Sequence, residues 1–275
     1  MTKSGIAAAQ PLVQKQLLNF RKTGLLRFLS HHDLMTVFAR AVRRAALPIR
    51  WTAGFNPQVR LSLPAALEVG VAALADPLEL ELTAWLPPPQ VQARLNRCLP
   101  PDLQIVAARL TAPVRAGAIA AFSRFRWAAA AARAEAIRPE AVAVLHELPR
   151  FEVPRVLPPK RGNTHPRRRL VDVRRALVRI AVLPDGSFDW IIRHGDGAVP
   201  RVAELAAALR ALSGPMPSPA ALTERDVVPV GTVERTSVGL LPMVVNFLDA
   251  DWWKQPVVET LVAESDEAAD EVSCA

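Results

Sequence analysis

From residue 17 to residue 110 the hydrophobic period changes in a fixed order, and that order restricts the fold more than composition does. Residues 17–20 and 25–29 alternate as strand, with a bend or bulge at Lys22-Thr23-Gly24 between them. Ser30 then stands where a helix N-cap belongs, with Asp33 three residues on, a variant capping box that also places an acid in the first turn. The spacing predicts a helix over 31–46. Leu34, Phe38, Ala41, Val42 and Ala45 form its apolar stripe, and Thr36, Arg40, Arg43 and Arg44 fall on the other side. Pro48 ends it. Residues 49–52 read as a short strand, Gly54-Phe55-Asn56-Pro57 as a turn, and 59–63 as a further extended piece. Residues 78–86 alternate as a strand, Pro87-Pro88-Pro89 opens a helix through 99, and 103–110 closes the unit as a strand. The order is β-α-β-β-α-β, the ferredoxin-like split βαβ arrangement. An antiparallel sheet with both helices on one face leaves the other face free to bind or be covered.

The pattern repeats after a small-residue linker over 113–121. Residues 124–131 read as strand, although the alanine-rich stretch 127–136 suits a helix equally well. A helix over 138–148 with Pro139 near its start follows, then an extended segment over 151–157. Residues 178–183 and 188–194 form a hairpin across Pro184-Asp185-Gly186-Ser187. A helix over 201–212 and a last strand over 226–230 complete the second unit. The expected class is therefore α+β: two tandem ferredoxin-like (βαββαβ) units with antiparallel sheets, plus an acidic, disordered C-terminal tail. The boundaries are a loose N-terminal leader over 1–15, units over 16–112 and 122–236, and the tail over 237–275.

Charge is unevenly spread. From Val244 onward one lysine faces eight acids, which leaves 33 basic and 18 acidic residues before it, a net of about +15 on the body. A body that basic attracts polyanions, of which RNA and DNA are the usual ones. The alternative is a solvated surface on which arginine merely replaces lysine. The stretch ESDEAADE in the tail has the charge to compete with nucleic acid for the basic face. Cys98 and Cys274 are far apart in sequence, which argues against a disulfide framework and fits a reducing cytosol. No run of eighteen apolar residues occurs, so a soluble cytoplasmic protein is expected, with no membrane. Neither GxxxxGK[ST] nor GxGxxG is present.

The landmarks Lys22-Thr23-Gly24, Leu26 to His31, Asp33-Leu34-Met35, Ala39-Arg40-Ala41, Arg43-Arg44-Ala45, Leu47-Pro48, Gly54 to Pro57, Arg60-Leu61-Ser62, Leu67 to Gly70 and Glu79 to Leu82 resemble the DUF2344, or radical SAM-linked, family. Lys160-Arg161-Gly162 with Val171 to Arg174 looks like that family's second-half basic element, and Arg235-Thr236 like its closing segment. The resemblance covers roughly 17–236. It departs at His32, where the family carries an apolar residue, and past Thr236, where the tail is this chain's own. The resemblance implies association with a radical SAM protein, fused ahead of the module or encoded beside it, and a setting near ribosome or ribonuclease genes. With two cysteines and no CxxxCxxC motif, this chain cannot itself hold such an enzyme's iron–sulfur cluster. It corresponds to the accessory half.

Several residues are candidates for contact with nucleic acid. Arg27, His31, Arg40, Arg43 and Arg44 come from the first strand-helix unit. Phe55, Asn56 and Arg60 come from the turn, where Phe55 either plugs the core or stacks on a base. Lys160, Arg161, Arg167, Arg168 and Arg169 lie in PPKRGNTHPRRR, which reads as a mobile basic loop, and Arg174 follows it. Trp252-Trp253 reads as a short contact for a partner or for its own domain. His31 is the one catalytic candidate, as a general base on an RNA 2′-hydroxyl; its other reading is helix opening or RNA contact. No cofactor and no metal set is expected. The leading function is a non-catalytic RNA-binding module that presents ribosomal or transfer RNA to a separate radical SAM partner. The alternatives are an RNA-processing endonuclease using His31, and a protein–protein adaptor for the radical SAM enzyme with no RNA contact.

Overall fold

The first strand, β1 (Gln14–Lys22), ends against a turn that only glycine allows. Gly24 has φ +53°, and a Cβ there would fall 2.5 Å from the Asp102 carboxylate. The chain therefore turns off the sheet into a 3₁₀ turn, Gly24–Phe28, in place of the strand expected over 25–29. The helix α1 (His31–Arg44) follows with the capping box complete. The Ser30 hydroxyl accepts the Asp33 N–H at 3.2 Å, and the Asp33 carboxylate accepts the Ser30 hydroxyl at 2.6 Å and amide at 3.3 Å. Those bonds hold the Asp33 carboxyl below its ordinary pKa. The first half continues with β2 (Leu61–Ser62), β3 (Ala72–Leu82), α2 (Pro88–Asn96) and β4 (Leu103–Thr111). The two helices cap each other. Arg94 of α2 donates to the Ala45 and Ala46 carbonyls at 3.1 and 2.8 Å, and Arg44 of α1 donates to the Cys98 carbonyl.

The second half comprises β5 (Ile119–Trp127), α3 (Ala129–Ala134), α4 (Glu140–Glu147), β6 (Glu152–Leu157), β7 (Arg167–Asp172), α5 (Val173–Ala176), β8 (Leu177–Val182), β9 (Phe188–Arg193), α6 (Val202–Leu212) and β10 (Val233–Leu241). The computed structural model describes residues 10–111, 119–134, 136–159, 164–195, 198–214 and 233–241. Seven strands run in the order β4-β1-β3-β10-β5-β9-β8, with β2 pairing beside β3, and β6–β7 form a separate two-stranded ribbon. Every pairing among the described residues is antiparallel except β3 with β10, where Glu234 and Arg235 lie opposite Ala72 and Ala73. The class is mixed α+β with antiparallel pairing and six α-helices among the described residues. No helix among them is long and apolar enough to cross a membrane.

One core spans both halves. Leu18, Phe20, Leu78, Leu80 and Leu82 face Leu34, Phe38, Val42, Val91 and Leu95. Phe125, Trp127, Phe188 and Trp190 face Leu145, Leu205 and Leu209 in the same cluster. The Phe125 and Trp190 rings stack with centroids 5.5 Å apart. The halves are joined by strand β10 and by two polar ties. Arg235, 2 % exposed, grips the Asp76 carboxylate of β3 through two of its nitrogens and donates to the Ala65 and Ala66 carbonyls at 3.1 and 2.9 Å. Glu68 accepts the Val202 N–H at 2.9 Å, capping α6 from the other half, and burial raises its pKa. Lys22 is fully buried beside Asp76 and Arg235 and donates to the Arg27 carbonyl at 3.2 Å. Burial pushes its ammonium down to about 8, with Arg235 acting the same way and Asp76 opposing.

The sheet face away from the helices takes the covered outcome: Lys15, Leu17 and Glu79 are buried on it, Lys15 pairs with Glu79 at 2.9 Å, and Leu17 packs on Ala65 and Ala120. Three further expectations change. The strand expected over 124–131 runs Ile119–Trp127, begins inside the supposed linker, and gives way to α3 where the alanines start. Arg167, Arg168 and Arg169 stand on β7, paired to Leu157, Val156 and Arg155, and not in a loop. The last described strand is β10, which runs past residue 236. The strand expected over 226–230, Lys160 and Arg161, Trp252-Trp253 and the acidic stretch lie outside the described residues.

Candidate nucleic-acid interface

Several arginines of this basic chain are already neutralised. Arg50 pairs with Glu81 at 2.7 Å and Arg124 with Asp189 at 2.8 Å. Arg126 pairs with Asp185 at 2.6 Å, and bonds from Ser187 and Arg126 bring the Asp185 carboxyl down to about 2. Arg155 pairs with Glu204 at 2.5 Å on both nitrogens. An excess of positive potential must therefore come from arginines without such partners.

Three of those arginines gather at the foot of the β6–β7 ribbon. A cleft of about 550 Å³ lies there between the ribbon, α5, the end of β9 and the approach to α6. Arg150, Arg169, Arg175 and Arg193 line it. Arg150 is paired with Glu152. The Asp172 carboxylate is occupied by backbone, accepting the N–H groups of Phe151, Arg174 and Arg175 at 3.2, 3.1 and 3.3 Å as the N-cap of α5. Among the described residues the guanidinium groups of Arg169, Arg175 and Arg193 have no hydrogen bond and no ion pair, and all three residues are exposed. His194 closes the rim. Its Nε2 lies 2.8 Å from the Ser123 hydroxyl, and burial followed by the field of Arg235 brings its pKa down to about 4. It is neutral at neutral pH and adds a hydrogen-bonding group without charge.

The ribbon wall is held from inside. Val153 and Val171 pair across it and are buried, while Arg155, opposite Arg169 in the register, reaches Glu204 of α6 and the Val199 carbonyl at 2.7 Å. The alternation of β7 puts Arg169 on the side of Val171 and leaves Arg168 and Leu170 on the outer side. Arg174 turns inward and donates to the Leu177 carbonyl at 3.2 Å.

The first-half candidates lie elsewhere. The segment 50–60 is a hairpin: the Thr52 N–H donates to the Gln58 carbonyl and the Arg60 N–H to the Arg50 carbonyl, both at 2.8 Å, and Gly54 (φ +119°) turns its tip. Phe55 does not plug the core. It is 91 % exposed at that tip, beside Asn56, whose Oδ1 accepts the Gln58 side-chain amide at 3.3 Å. Arg60 is exposed on the returning arm. Arg43 lies over the Trp51 ring at 4.9 Å and Arg27 over the Phe28 ring at 4.9 Å. Arg44 is held by Cys98, and Arg40 is exposed on α1. His31 is exposed at the start of α1 with its ring edge toward His32 (centroids 6.3 Å apart), while Asp33 is engaged by Ser30. Among the described residues no three histidine, cysteine, aspartate or glutamate side chains are grouped to hold a metal.

Of the predicted basic residues that are described, only Arg169 lines the cleft. Arg150, Arg175, Arg193 and His194 were missed as site residues, because they come from separate segments that only the fold brings together. One signal was available: Arg193-His194 at the end of an apolar strand, where element ends carry function.

The arrangement is an arginine-lined cleft on a mixed α+β fold. Residues 15–201 match the family model described as an uncharacterized protein conserved in bacteria, DUF2344, and the chain belongs to that family. The match runs from β1 to the start of α6, so Arg235 and β10 lie beyond it. No curated protein matches the chain.

Proposed function

We propose that this chain is an RNA-binding accessory module, not itself catalytic, that presents ribosomal or transfer RNA to a separately encoded radical SAM partner in the cytoplasm. The observation that carries the reading is the set of three un-neutralised arginines, Arg169, Arg175 and Arg193, around one cleft. Guanidinium forks suit phosphate oxygens, and three of them left unpaired around one space have a polyanion as the simplest ligand. The body charge of about +15 supports the same reading. So does Phe55, an exposed ring on a polar hairpin tip whose returning arm carries Arg60, which suits stacking on an unpaired base.

The strand order supports a finer fold reading. Within each half the strands follow one ranking, β4-β1-β3-β2 and β10-β5-β9-β8, the order of a ferredoxin-like unit; the β6–β7 ribbon and α5 are inserted in the second. On this reading the two units run from β1 to β4 and from β5 to β10, the second wider at both ends than the expected 122–236.

The test is binding of transfer RNA and ribosomal RNA fragments to the full chain across a salt series. Binding should weaken steeply, and the R169Q/R175Q/R193Q variant should lower the log–log slope by about 0.7 for each single-strand phosphate that is no longer neutralised. Wild-type protein that retains no RNA at low salt would defeat the reading. A protein adaptor is the second reading, favoured by the exposed apolar side chains of Leu25, Phe28 and Val69. Co-purification with a radical SAM enzyme that survives nuclease and high salt would favour it.

A further inference from the structure

The cleft has a more specific fit than to a polyanion in general. Among the described residues its lining carries four arginines against Glu152 and Asp172, and His194 is uncharged, so their formal charge is +2. Both acids are engaged, Glu152 by Arg150 and Asp172 by three amides, so neither has to move to admit an anion. A space of about 550 Å³ is the size of a small-molecule site, and Arg169, Arg175 and Arg193 all line it. Among the described residues the lining includes no Phe, Trp or Tyr ring. Val171, Ala176, Ala198 and Val199 are its apolar part, which suits a sugar face more than a stacked base. The wall is fixed by Arg155 and Glu204 and needs no rearrangement to form.

An internal phosphodiester carries one negative charge and two free oxygens. A terminal phosphomonoester carries close to two and three free oxygens, and so matches both the +2 lining and the three guanidiniums. We infer that this cleft is a receptor for a terminal phosphomonoester, the phosphorylated end of an RNA strand or a mononucleotide. The inference rests on the RNA-binding reading only in naming RNA as the bearer of that group. Phosphodiesters farther along the strand are left to the other exposed cations, and the cleft sets where the strand ends.

The experiment measures fluorescence anisotropy of short single-stranded RNAs of one sequence, ending in a 5′-phosphate, a 3′-phosphate or hydroxyls only, with the full wild-type chain. Adenosine 5′-monophosphate and adenosine serve as competitors. A phosphorylated end should tighten binding roughly tenfold or more, the effect of added charge-assisted hydrogen bonds. Adenosine monophosphate should compete where adenosine does not. R193Q, R175Q and R169Q should each shrink the preference, with thermal unfolding as the check that these exposed substitutions leave the fold intact. The wild-type comparison needs no variant and stands by itself. RNA that binds equally well with and without a terminal phosphate overturns the inference and leaves the RNA-binding reading intact. Arginine-dependent binding of adenosine monophosphate with no binding of any RNA overturns the RNA reading and upholds the phosphomonoester site. Absence of both overturns both.

Discussion

Replacing Arg235 by methionine removes the residue that ties the last strand into the first half of the sheet, and its cost follows from what is left behind. Asp76 is as buried as Arg235, so it would keep a carboxylate in the interior without its two-nitrogen grip. Breaking a buried pair from one side costs about 3–5 kcal/mol. The Ala65 carbonyl also loses its donor, about 1 kcal/mol, whereas Ala66 is exposed and water can replace the guanidinium there. Lys22 opposes the loss: its ammonium faces Asp76, is relieved of repulsion from Arg235, and offsets about 1–2 kcal/mol. The expected net cost is about 2–5 kcal/mol, a large share of the roughly 5–15 kcal/mol that holds a protein folded. Urea unfolding of the full chain reads it. D76L/R235M, which removes the stranded carboxylate as well, should recover about 2 kcal/mol relative to R235M. Arg126→Met breaks a pair of similar geometry that is half exposed at both ends, and should cost less than about 1 kcal/mol. If R235M costs no more than R126M, or the double variant is as unstable as the two single costs added, Arg235 does not act as a buried staple.

The other expectations concern groups whose surroundings are equally defined. Lys22→Met should stabilise the protein by about 1–3 kcal/mol at neutral pH, since it removes a buried ammonium whose pKa is lowered from 10.5 to about 8. Between those values the unfolded chain binds the extra proton, so wild-type stability rises with pH from 8 toward 10.5 and the variant's advantage should fade over that range. Urea melts at several pH values check this. Arg155→Met strands Glu204 against α6 and releases the ribbon, so it should cost about 3 kcal/mol and weaken RNA binding although Arg155 does not line the cleft. Urea unfolding and anisotropy read the two effects. Phe55→Ala should leave the urea midpoint within about 0.5 kcal/mol of wild type but weaken single-stranded RNA binding roughly tenfold, as measured by anisotropy.

What was legible in the sequence was local chemistry. The Ser30–Asp33 box placed the start of α1 to the residue, its apolar stripe is buried as patterned, and the Asp185-Gly186 turn joins β8 to β9. What was not legible depended on residues far along the chain. Residues 25–29 alternate like a strand, but Gly24 takes φ +53° beside Asp102, and the chain turns off the sheet there. Alternation on β1 suggests one buried face, yet Lys15 and Leu17 are covered by Glu79, Ala65 and Ala120 from three other segments. A lone aromatic in a turn usually packs, but Phe55 lies at a hairpin tip that carries it clear of the core.

The same division governs the charge. Composition counts arginines but cannot say which have partners, and on this chain the partners decide the chemistry. Arg155 and Arg169 face each other in the ribbon register, alike in sequence terms, yet Arg155 is clamped by Glu204 while Arg169 is exposed in the cleft. Arg174 and Arg175 are adjacent, and only Arg175 lines that space, because the short helix capped by Asp172 turns its neighbour inward toward Leu177. A run such as Arg167-Arg168-Arg169 is conspicuous in a sequence for its local density. The cleft instead draws one residue from that run and joins it to Arg175 and Arg193, which no local window connects. Binding that follows the run would fall in proportion to charge removed anywhere along it; binding that follows the cleft would respond to Arg193 and ignore Arg168. R193Q against R168Q, equal in charge and both exposed on strands, therefore separates a basic surface from a site.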